Sequence, residues 1–291
     1  MTKPDVSVVV PHYDDLAGLD RCLAALAAQT LAPDRYEIIV ADNLSSVGEA
    51  RVAEVVSGRA RLVFAPEKGA GPARNAGAAV AGGGILAFTD SDCVPEPGWL
   101  AAGTEALTRG DIAGGAMTVM VPDDRPMSGA EAFELVFAFD NRAYVEKKGF
   151  GVTANLLCRK AVFDTVGPFR NGVSEDVEWC RRAGAGGFRL VYAPAAVVAH
   201  PARRDWQQLK RKWKRMNVEG FALARARPLG KVRWLARSLI VPASFVAHVP
   251  RVLRSPALPD ARSRLVALGT LARLRLWRAA DGVSLLFDKG K

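Results

Sequence analysis

Two carboxylates stand one residue apart at Asp90 and Asp92, directly after the apolar run 85–88. The run has the pattern of a buried strand, so the pair is expected on the loop that ends it. Carboxylates at this spacing can share a hard divalent cation, Mg²⁺ or Mn²⁺, whose open positions take phosphate oxygens. Aspartate and serine are also ordinary turn residues, so a solvated turn without a metal is the alternative interpretation.

Two more side chains with possible chemistry follow strands predicted nearer the start of the chain. Asp42 ends the strand predicted at 37–41. Its carboxylate could accept a hydrogen bond from a nucleobase, or it could cap a helix. Tyr13 comes shortly after the strand predicted at 6–10, which Pro11 is expected to end. The tyrosine ring could stack on a base or pack in the core.

A cluster of acids and one histidine are the remaining candidates for chemistry. Glu175, Asp176 and Glu178 lie where a helix is predicted to begin. One of them could act as a general base beside an acceptor hydroxyl, or all three could complement the helix dipole. His200 comes just past the strand predicted at 189–192. It could be a third metal ligand or an ordinary turn histidine.

The elements that position these residues alternate between strand and helix. Strands are predicted at 6–10, 37–41, 61–64 and 85–88, with helices at 15–29, 47–57 and 72–81 between them. This alternation predicts an α/β fold with a mainly parallel sheet flanked by helices. Ligands bind at the carboxyl ends of such strands, so Tyr13, Asp42 and the Asp90/Asp92 pair are expected to converge on one crevice.

The stretch between 98 and 200 is less regular. Its apolar spacing predicts helices at 98–108, 128–145 and 175–184, and strands at 112–120, 154–158 and 189–192. After His200 the pattern becomes helical and rich in arginine, with prolines dividing the segments. We therefore expect a basic helical region at the C-terminal end.

Length and charge suggest two domains with different roles. The chain has 291 residues and a net charge of +10. Residues 201–291 hold 21 Lys/Arg and 5 Asp/Glu, a net of +16, whereas residues 1–200 have a net of −6. We expect one domain over 1–203 and a second over 204–291. The basic region predicts a polyanionic partner, which could be a nucleic acid, anionic lipid or a phosphorylated substrate.

The cysteines and the apolar segments indicate the compartment. Cys22, Cys93, Cys158 and Cys180 are far apart and form no C-x-x-C pair, so neither a zinc site nor a disulfide framework is expected. No apolar signal region follows Met1, and the charge-free stretch 238–250 is shorter than the ~18–20 residues that a spanning helix needs. We expect a cytoplasmic protein without a membrane-spanning helix.

An apolar stripe marks the first basic helix. Trp206, Leu209, Trp213 and Met216 recur at helical spacing among five lysines and arginines. Such a helix suits an anionic membrane surface, although the stripe could equally pack on the first domain. A second basic helix with an apolar stripe is predicted at 262–278. Together they predict peripheral docking on the inner face of the cell membrane, which would suit a lipid-linked acceptor.

The order of these motifs resembles the family 2 glycosyltransferases, which have the GT-A fold. The resemblance covers about residues 5–220. It rests on VVVPHY at 8–13, IVADNLS at 39–45, GPARNAG at 71–77, FTDSD at 88–92, ANL at 154–156 followed by 163–169, and EDVE at 175–178. Each motif alone is common, but the six in this order at these spacings are specific. The implied fold is a Rossmann-like sheet followed by the basic helical region.

The resemblance implies roles for the donor-side residues. Pro11, Tyr13 and Asp42 would hold the nucleobase of a nucleotide-sugar, Tyr13 by its ring and Asp42 by hydrogen bonding. Arg74 would steady the nucleotide. Asp90 would help position the ribose and the metal-bound diphosphate.

The resemblance also implies a metal site and a general base. Asp90 and Asp92 match the D-x-D motif that positions the metal-bound diphosphate, and His200 lies where many members place a residue near the metal. Asp176 matches the aspartate of the E-D motif, the general base in inverting members. Glu175 beside it is the second catalytic candidate.

The sequence therefore predicts an inverting glycosyltransferase that depends on Mg²⁺ or Mn²⁺. It would move a sugar from a nucleotide-diphospho-sugar, with UDP favoured, to a hydroxyl of a lipid-linked acceptor or a growing cell-surface glycan. A nucleic-acid binder acting through the basic region is one alternative, but no nucleic-acid motif matches and no nucleic acid is expected as a partner. A sugar-nucleotidyltransferase is another, although it should carry a glycine-rich loop where Pro11-His12-Tyr13 stands.

Overall fold

A computed structural model of the protein describes residues 3–225 and 227–288. The strands within these residues are β1 (Val6–His12), β2 (Tyr36–Asp42), β3 (Arg61–Phe64), β4 (Ile85–Phe88), β5 (Val94–Pro95), β6 (Ile112–Met120), β7 (Leu156–Arg159) and β8 (Leu190–Pro201). The helices are α1 (Leu16–Ala27), α2 (Glu49–Val56), α3 (Ala70–Ala79), α4 (Trp99–Ala106), α5 (Gly129–Phe137), α6 (Asn141–Lys148), α7 (Lys160–Val166), α8 (Glu175–Ala185), α9 (Trp206–Arg225), α10 (Gly230–Ile240), α11 (Ser244–Leu253) and α12 (Ala261–Ser284).

The chain divides into two compact units. The α/β unit consists of Met1–Thr118 and Asp140–His200, and the helical unit consists of Val119–Phe139 and Pro201–Lys291. None of the helices in the described residues combines the length and the apolar character needed to cross a bilayer.

A single mixed sheet forms the frame of the α/β unit. The strand order is β3-β2-β1-β4-β7-β6-β8-β5. The first four strands are parallel, whereas β7 runs antiparallel to both β4 and β6. The predicted α/β fold and its parallel strands are confirmed. The antiparallel pairing in the other half of the sheet was not predicted.

β1 lies at the centre of the parallel half and is buried on both faces. Val6, Val8 and Val10 belong to one apolar cluster, and Val9 belongs to the cluster on the opposite face. All four are fully buried. A strand covered on both sides has no need for alternating polar residues, which explains its continuous run of valines.

β1 continues through Pro11, although Pro11 was predicted to end it. Pro11 and His12 still pair with β2. The carbonyl of Val9 bonds on the β4 side and that of His12 on the β2 side, so alternate residues face alternate neighbours. Pro11 has no N–H to donate, but its nitrogen faces the β4 side at a level beyond Phe88, the last residue of β4. No ladder hydrogen bond is therefore lost.

The helix predicted at 128–145 is instead two helices, α5 and α6, which belong to different units. Asp140 causes the break because its side chain accepts a hydrogen bond from the Ala143 N–H and caps α6. α5 begins with its own capping box between Ser128 and Glu131. Apolar spacing continued across the break, so periodicity alone did not reveal it.

The strand predicted at 189–192 is also longer than expected. β8 runs on to Pro201, so His200 lies within a strand and not just past one. Near its end β8 pairs with β5, with Val198 opposite Pro95 and Ala199 opposite Val94. Pairing within the sheet outweighs the low strand propensity of the alanines and the two prolines in this segment.

The helical unit has its own apolar core. In it, α12 packs against α5, α9, α10 and α11. Leu209, Leu271 and Leu274 are fully buried in this core, and Trp206 packs edge-to-face on Trp277 at 6.3 Å between ring centroids. The predicted membrane-facing stripe of α9 is therefore largely core of its own unit. Burial within the unit removes the main sequence argument for lipid contact through that stripe.

The stripe yields a test with two matched variants. Leu209→Ala is expected to lower the free energy of unfolding by about 2–5 kcal/mol because it leaves a cavity in the core. Met216→Ala on the same stripe removes a side chain that is 43% exposed, and should change it by no more than about 0.5 kcal/mol. Urea unfolding followed by tryptophan fluorescence measures both, since four of the six tryptophans lie after residue 200. Small and equal losses would show that the stripe is not core.

Candidate active site

A crevice of about 400 Å³ opens at the carboxyl ends of β1 and β4. The expected convergence of strand ends is observed for Tyr13 and the Asp90/Asp92 pair, but not for Asp42. Predicted and new residues together line it: Pro11, His12, Tyr13, Asp15, Asn43, Lys68, Gly69, Ala70, Arg74, Asp90, Ser91 and Asp92.

Arg74 of α3 lies at the floor of the crevice and is 3% exposed. Its Nη1 donates to Glu175 Oε1 at 2.8 Å and its Nη2 donates to Asp90 Oδ1. Burial alone would lower the pKa of Arg74, but the charges of Asp90 and Glu175 outweigh it and raise that pKa. The guanidinium thus stays charged and joins the loop after β4 to the start of α8.

Asp176 lies beside this pair without joining it. Its Oδ1 accepts a hydrogen bond from the N–H of Val177 at 2.7 Å. Burial is the main cause that raises the pKa of Asp176 to about 6, and the charges of Glu175 and Asp90 add to it against the opposing effect of Arg74. Glu175 is ion-paired, so of these two acids Asp176 is the one suited to take up a proton near neutral pH.

Asp42 is 2% exposed and does not line the crevice. Its Oδ1 lies 2.9 Å from His12 Nδ1 and accepts from the Ser45 hydroxyl at 2.5 Å, while its Oδ2 accepts from the Ser45 N–H at 3.1 Å. It caps no helix, since α2 begins after Gly48. The carboxylate therefore positions His12 at the crevice wall and holds the loop after β2.

Tyr13 stands at the opening and is 45% exposed, which contradicts packing in the core. Lys68 lies over its ring, with Nζ 4.6 Å from the centroid and 3.2 Å from the phenol oxygen. Lys68 was not among the residues predicted from the sequence. The only available signal was its position just before Gly69, where the glycine-rich segment that contains Arg74 begins. Tyr13 and Lys68 form a flat, cationic wall that suits a nucleotide.

Asp92 and His200 lie where two ligands of one ion would stand. Asp92 Oδ2 and His200 Nε2 are 3.7 Å apart, and two ligands about 2.1 Å from one ion lie roughly 3–4 Å apart. Burial raises the pKa of Asp92, whereas His200 lowers it and Asp90 and Asp15 raise it further. A cation there would offset both the burial and the repulsion among the carboxylates.

Cys93 completes this group geometrically, but not chemically. The ligand atoms of Asp92, Cys93 and His200 all lie within 4.8 Å of one another. Burial, with the charges of Asp90 and Asp92, raises the pKa of Cys93 well above its usual value. Its sulfur donates weakly to Asp92, and sulfur suits softer metals than Mg²⁺ or Mn²⁺. The oxygen and nitrogen ligands that remain fit Mg²⁺ or Mn²⁺.

Comparisons with solved structures identify the class of fold. The mannosyltransferase PcManGT from Pyrobaculum calidifontis, in complex with GDP-Man and Mn²⁺, aligns with a TM-score of 0.55 at 17% identity, covering 100% of this chain and 77% of that chain. TarS 1–349 of S. aureus, in complex with UDP-GlcNAc, aligns with a TM-score of 0.55 at 17% identity, covering 96% and 88%. The fold is that of the GT-A glycosyltransferases.

Sequence comparisons give the family. The profile described as Glycosyl transferase family 2 matches residues 7–167. Glycosyltransferase AglE of Haloferax volcanii is 32% identical over 221 residues, which cover 73% of this chain and 72% of that protein. A pre-mycofactocin glycosyltransferase of Mycobacterium tuberculosis is 29% identical over 214 residues, but these cover only 44% of that protein. The chain belongs to glycosyl transferase family 2 and is a glycosyltransferase, as its motifs predicted.

The raised pKa of Asp176 makes folding stability depend on pH. An unfolded aspartate titrates near ~3.9, and the folded-state pKa is about 6, so ionising Asp176 destabilises the fold increasingly between those two pH values. Asp176→Asn removes this penalty. We therefore expect the difference in the free energy of unfolding, variant minus wild type, to rise by on the order of 2 kcal/mol from pH 4 to pH 7. Urea unfolding at the two pH values measures it. A stability difference that is the same at both pH values would contradict the raised pKa.

Proposed function

We propose that the protein transfers a glycosyl group from a nucleoside-diphospho-sugar to an acceptor hydroxyl and inverts the anomeric centre. The observation that carries this proposal is the grouping at one crevice of Arg74 and the Asp90/Asp92 pair and, next to the Arg74–Glu175 ion pair, of Asp176. Arg74, together with a cation held by the Asp90/Asp92 pair, would suit an anionic leaving group, and Asp176 would suit an incoming hydroxyl. The catalytic part is the domain predicted at 1–203.

The donor would lie along the wall that Tyr13 and Lys68 form. Tyr13 offers an exposed ring for the base, and Pro11 lines the crevice beside it. Asp42 would act at the base through His12 and the loop after β2, since its own oxygens are occupied. Arg74 and Lys68 would balance the charge of the departing diphosphate. UDP is the favoured nucleotide, and GDP is the main rival.

Asp92, His200 and Asp90 would hold a divalent cation, either Mg²⁺ or Mn²⁺. Asp90 contributes only the oxygen that Arg74 leaves available. Bound there, the metal would supply positive charge to the diphosphate oxygens. The 3.7 Å spacing of Asp92 and His200 supports this site, and the Mn²⁺ in the complex of PcManGT agrees with it for a protein of the same fold.

Asp176 would remove the acceptor proton as the hydroxyl oxygen attacks C1 of the sugar. The C1–oxygen bond to the diphosphate breaks on the opposite face, which inverts the centre in one step. Glu175 would act as a positioning residue, because its carboxylate is engaged by Arg74. With a pKa of about 6, Asp176 is mostly ionised near pH 7 and still able to hold a proton.

The acceptor would be a growing glycan or a lipid-linked sugar, and the region 204–291 would face it. We infer peripheral association with the inner face of the cell membrane from charge, since residues 201–291 carry a net +16. The α9 stripe is mostly buried, so the apolar contact would come from α10, where Val232, Leu239 and Ile240 are more than 60% exposed.

Calorimetry of nucleotide binding tests the donor and the metal together. Of UDP, GDP and dTDP, UDP should bind most tightly, and only with Mn²⁺ or Mg²⁺ present, because Asp90 and Asp92 meet the diphosphate through the cation. Asp92→Asn should weaken metal-dependent binding tenfold or more, because the loss of even a residue that hydrogen-bonds to a metal ligand typically weakens metal binding by about this much. Asp164→Asn, an exposed acid on α7, is the matched control and should bind like wild type. Equal affinity in EDTA would overturn the metal site.

A further inference from the structure

Three arginines of the helical unit form no ion pair within the described part of the chain and play no part in the proposed reaction. The arginine cluster consists of Arg237 on α10 with Arg275 and Arg278 on α12. Over residues 3–225 and 227–288, no ion pair includes a member of the cluster, and those that involve a base of the helical unit use Arg125, Arg203, Lys212 and Arg215. The positive charge of the cluster is therefore not balanced by an ion pair within these residues.

Buried donors at the cluster have either a distant acceptor or none among the described residues. Arg278 is 9% exposed, and its guanidinium lies 4.0 Å over the ring of Trp213. Its Nε reaches Asn217 Oδ1 only at 3.5 Å. Arg275 Nε and Trp213 Nε1 are both buried and find no hydrogen-bond partner among the described residues. Buried donors without an acceptor are costly, so a bound group with acceptor oxygens would stabilise this site.

The charges point to the same conclusion. Burial first, and then the charges of Arg275 and Arg237, lower the pKa of Arg278 to about 10. Asp281 opposes this shift, but its carboxylate already accepts a hydrogen bond from the Asn217 amide at 2.8 Å. Three positive charges thus lie near one partly engaged negative charge. An added anion would relieve their repulsion.

We propose that the arginine cluster binds a phosphate group. Phosphate carries several acceptor oxygens and a negative charge, and guanidinium groups match its geometry with paired N–H donors. Arg275, Arg278 and the indole N–H of Trp213 would donate to it from the buried side. Arg237 is exposed, with its guanidinium 5.0 Å from the centroid of the Trp234 ring, and would meet it from solvent. The group is either a soluble phosphate ester or the headgroup of an anionic lipid.

Titration with inorganic phosphate in EDTA, at constant ionic strength, tests the site in solution. Wild type and Arg233→Gln should bind with the same affinity, because Arg233 is an exposed arginine of α10 outside the cluster. Arg275→Gln makes the same change in charge and should bind at least tenfold more weakly. Trp213→Phe keeps the ring under Arg278 but loses the N–H donor, so it should weaken binding several-fold. In chloride alone, Arg275→Gln should melt no lower than wild type.

Vesicles that contain phosphatidic acid distinguish the two sources of the phosphate. If the ligand is a lipid headgroup, wild type and Arg233→Gln should sediment with these vesicles, whereas Arg275→Gln should bind about tenfold more weakly and inorganic phosphate should have little effect. If it is a soluble ester, inorganic phosphate should bind with the pattern given above. Equal behaviour of Arg275→Gln and Arg233→Gln in both experiments would overturn the proposal. Nucleotide binding is measured separately, so its outcome leaves this one unaffected.

Discussion

A single buried guanidinium determines how the acids of the crevice are used. Arg74 on α3 joins Asp90, after β4, to Glu175, at the start of α8, so three elements distant in sequence meet at one charge. Removing one member of such a pair leaves an uncompensated buried charge, which typically costs about 3–5 kcal/mol. Because Arg74 engages Asp90 and Glu175, Asp176 is left to burial and repulsion, which raise its pKa. The same contact thus separates the acids that hold the crevice together from the one proposed to carry a proton.

Much of the α/β unit could be predicted because burial on both faces of a parallel sheet leaves a direct trace in sequence. The valine run of β1 and the apolar run of β4 are such traces. Local features that depend on neighbouring elements leave no such trace in the sequence. Pro11 stays in β1 only because β4 has already ended, and the break before α6 depends on one side-chain cap at Asp140. No change in composition marks Val119–Phe139 as part of the helical unit.

The candidate site was predictable as a set of positions but not as a set of contacts. Tyr13, Asp42 and the Asp90/Asp92 pair were expected at one crevice, and the structure brings all of them there except Asp42. Sequence could not reveal that Asp42 lies beneath the surface, where His12 and Ser45 occupy its oxygens. The α9 stripe shows the same limit. A basic amphipathic helix has one pattern whether its apolar face meets lipid or a neighbouring helix, and here most of that face meets α5 and α12.

The most direct test compares transfer rates of Asp176→Asn and Glu175→Gln, with a donor and an acceptor that support turnover by wild type. If Arg74 leaves Asp176 as the base, Asp176→Asn should lose about 10²–10⁴ in kcat, with the donor KM within a few-fold of wild type. Glu175→Gln should lose far less in kcat, because it alters only the partner of Arg74. A large loss in Glu175→Gln together with near-normal turnover in Asp176→Asn would contradict the account.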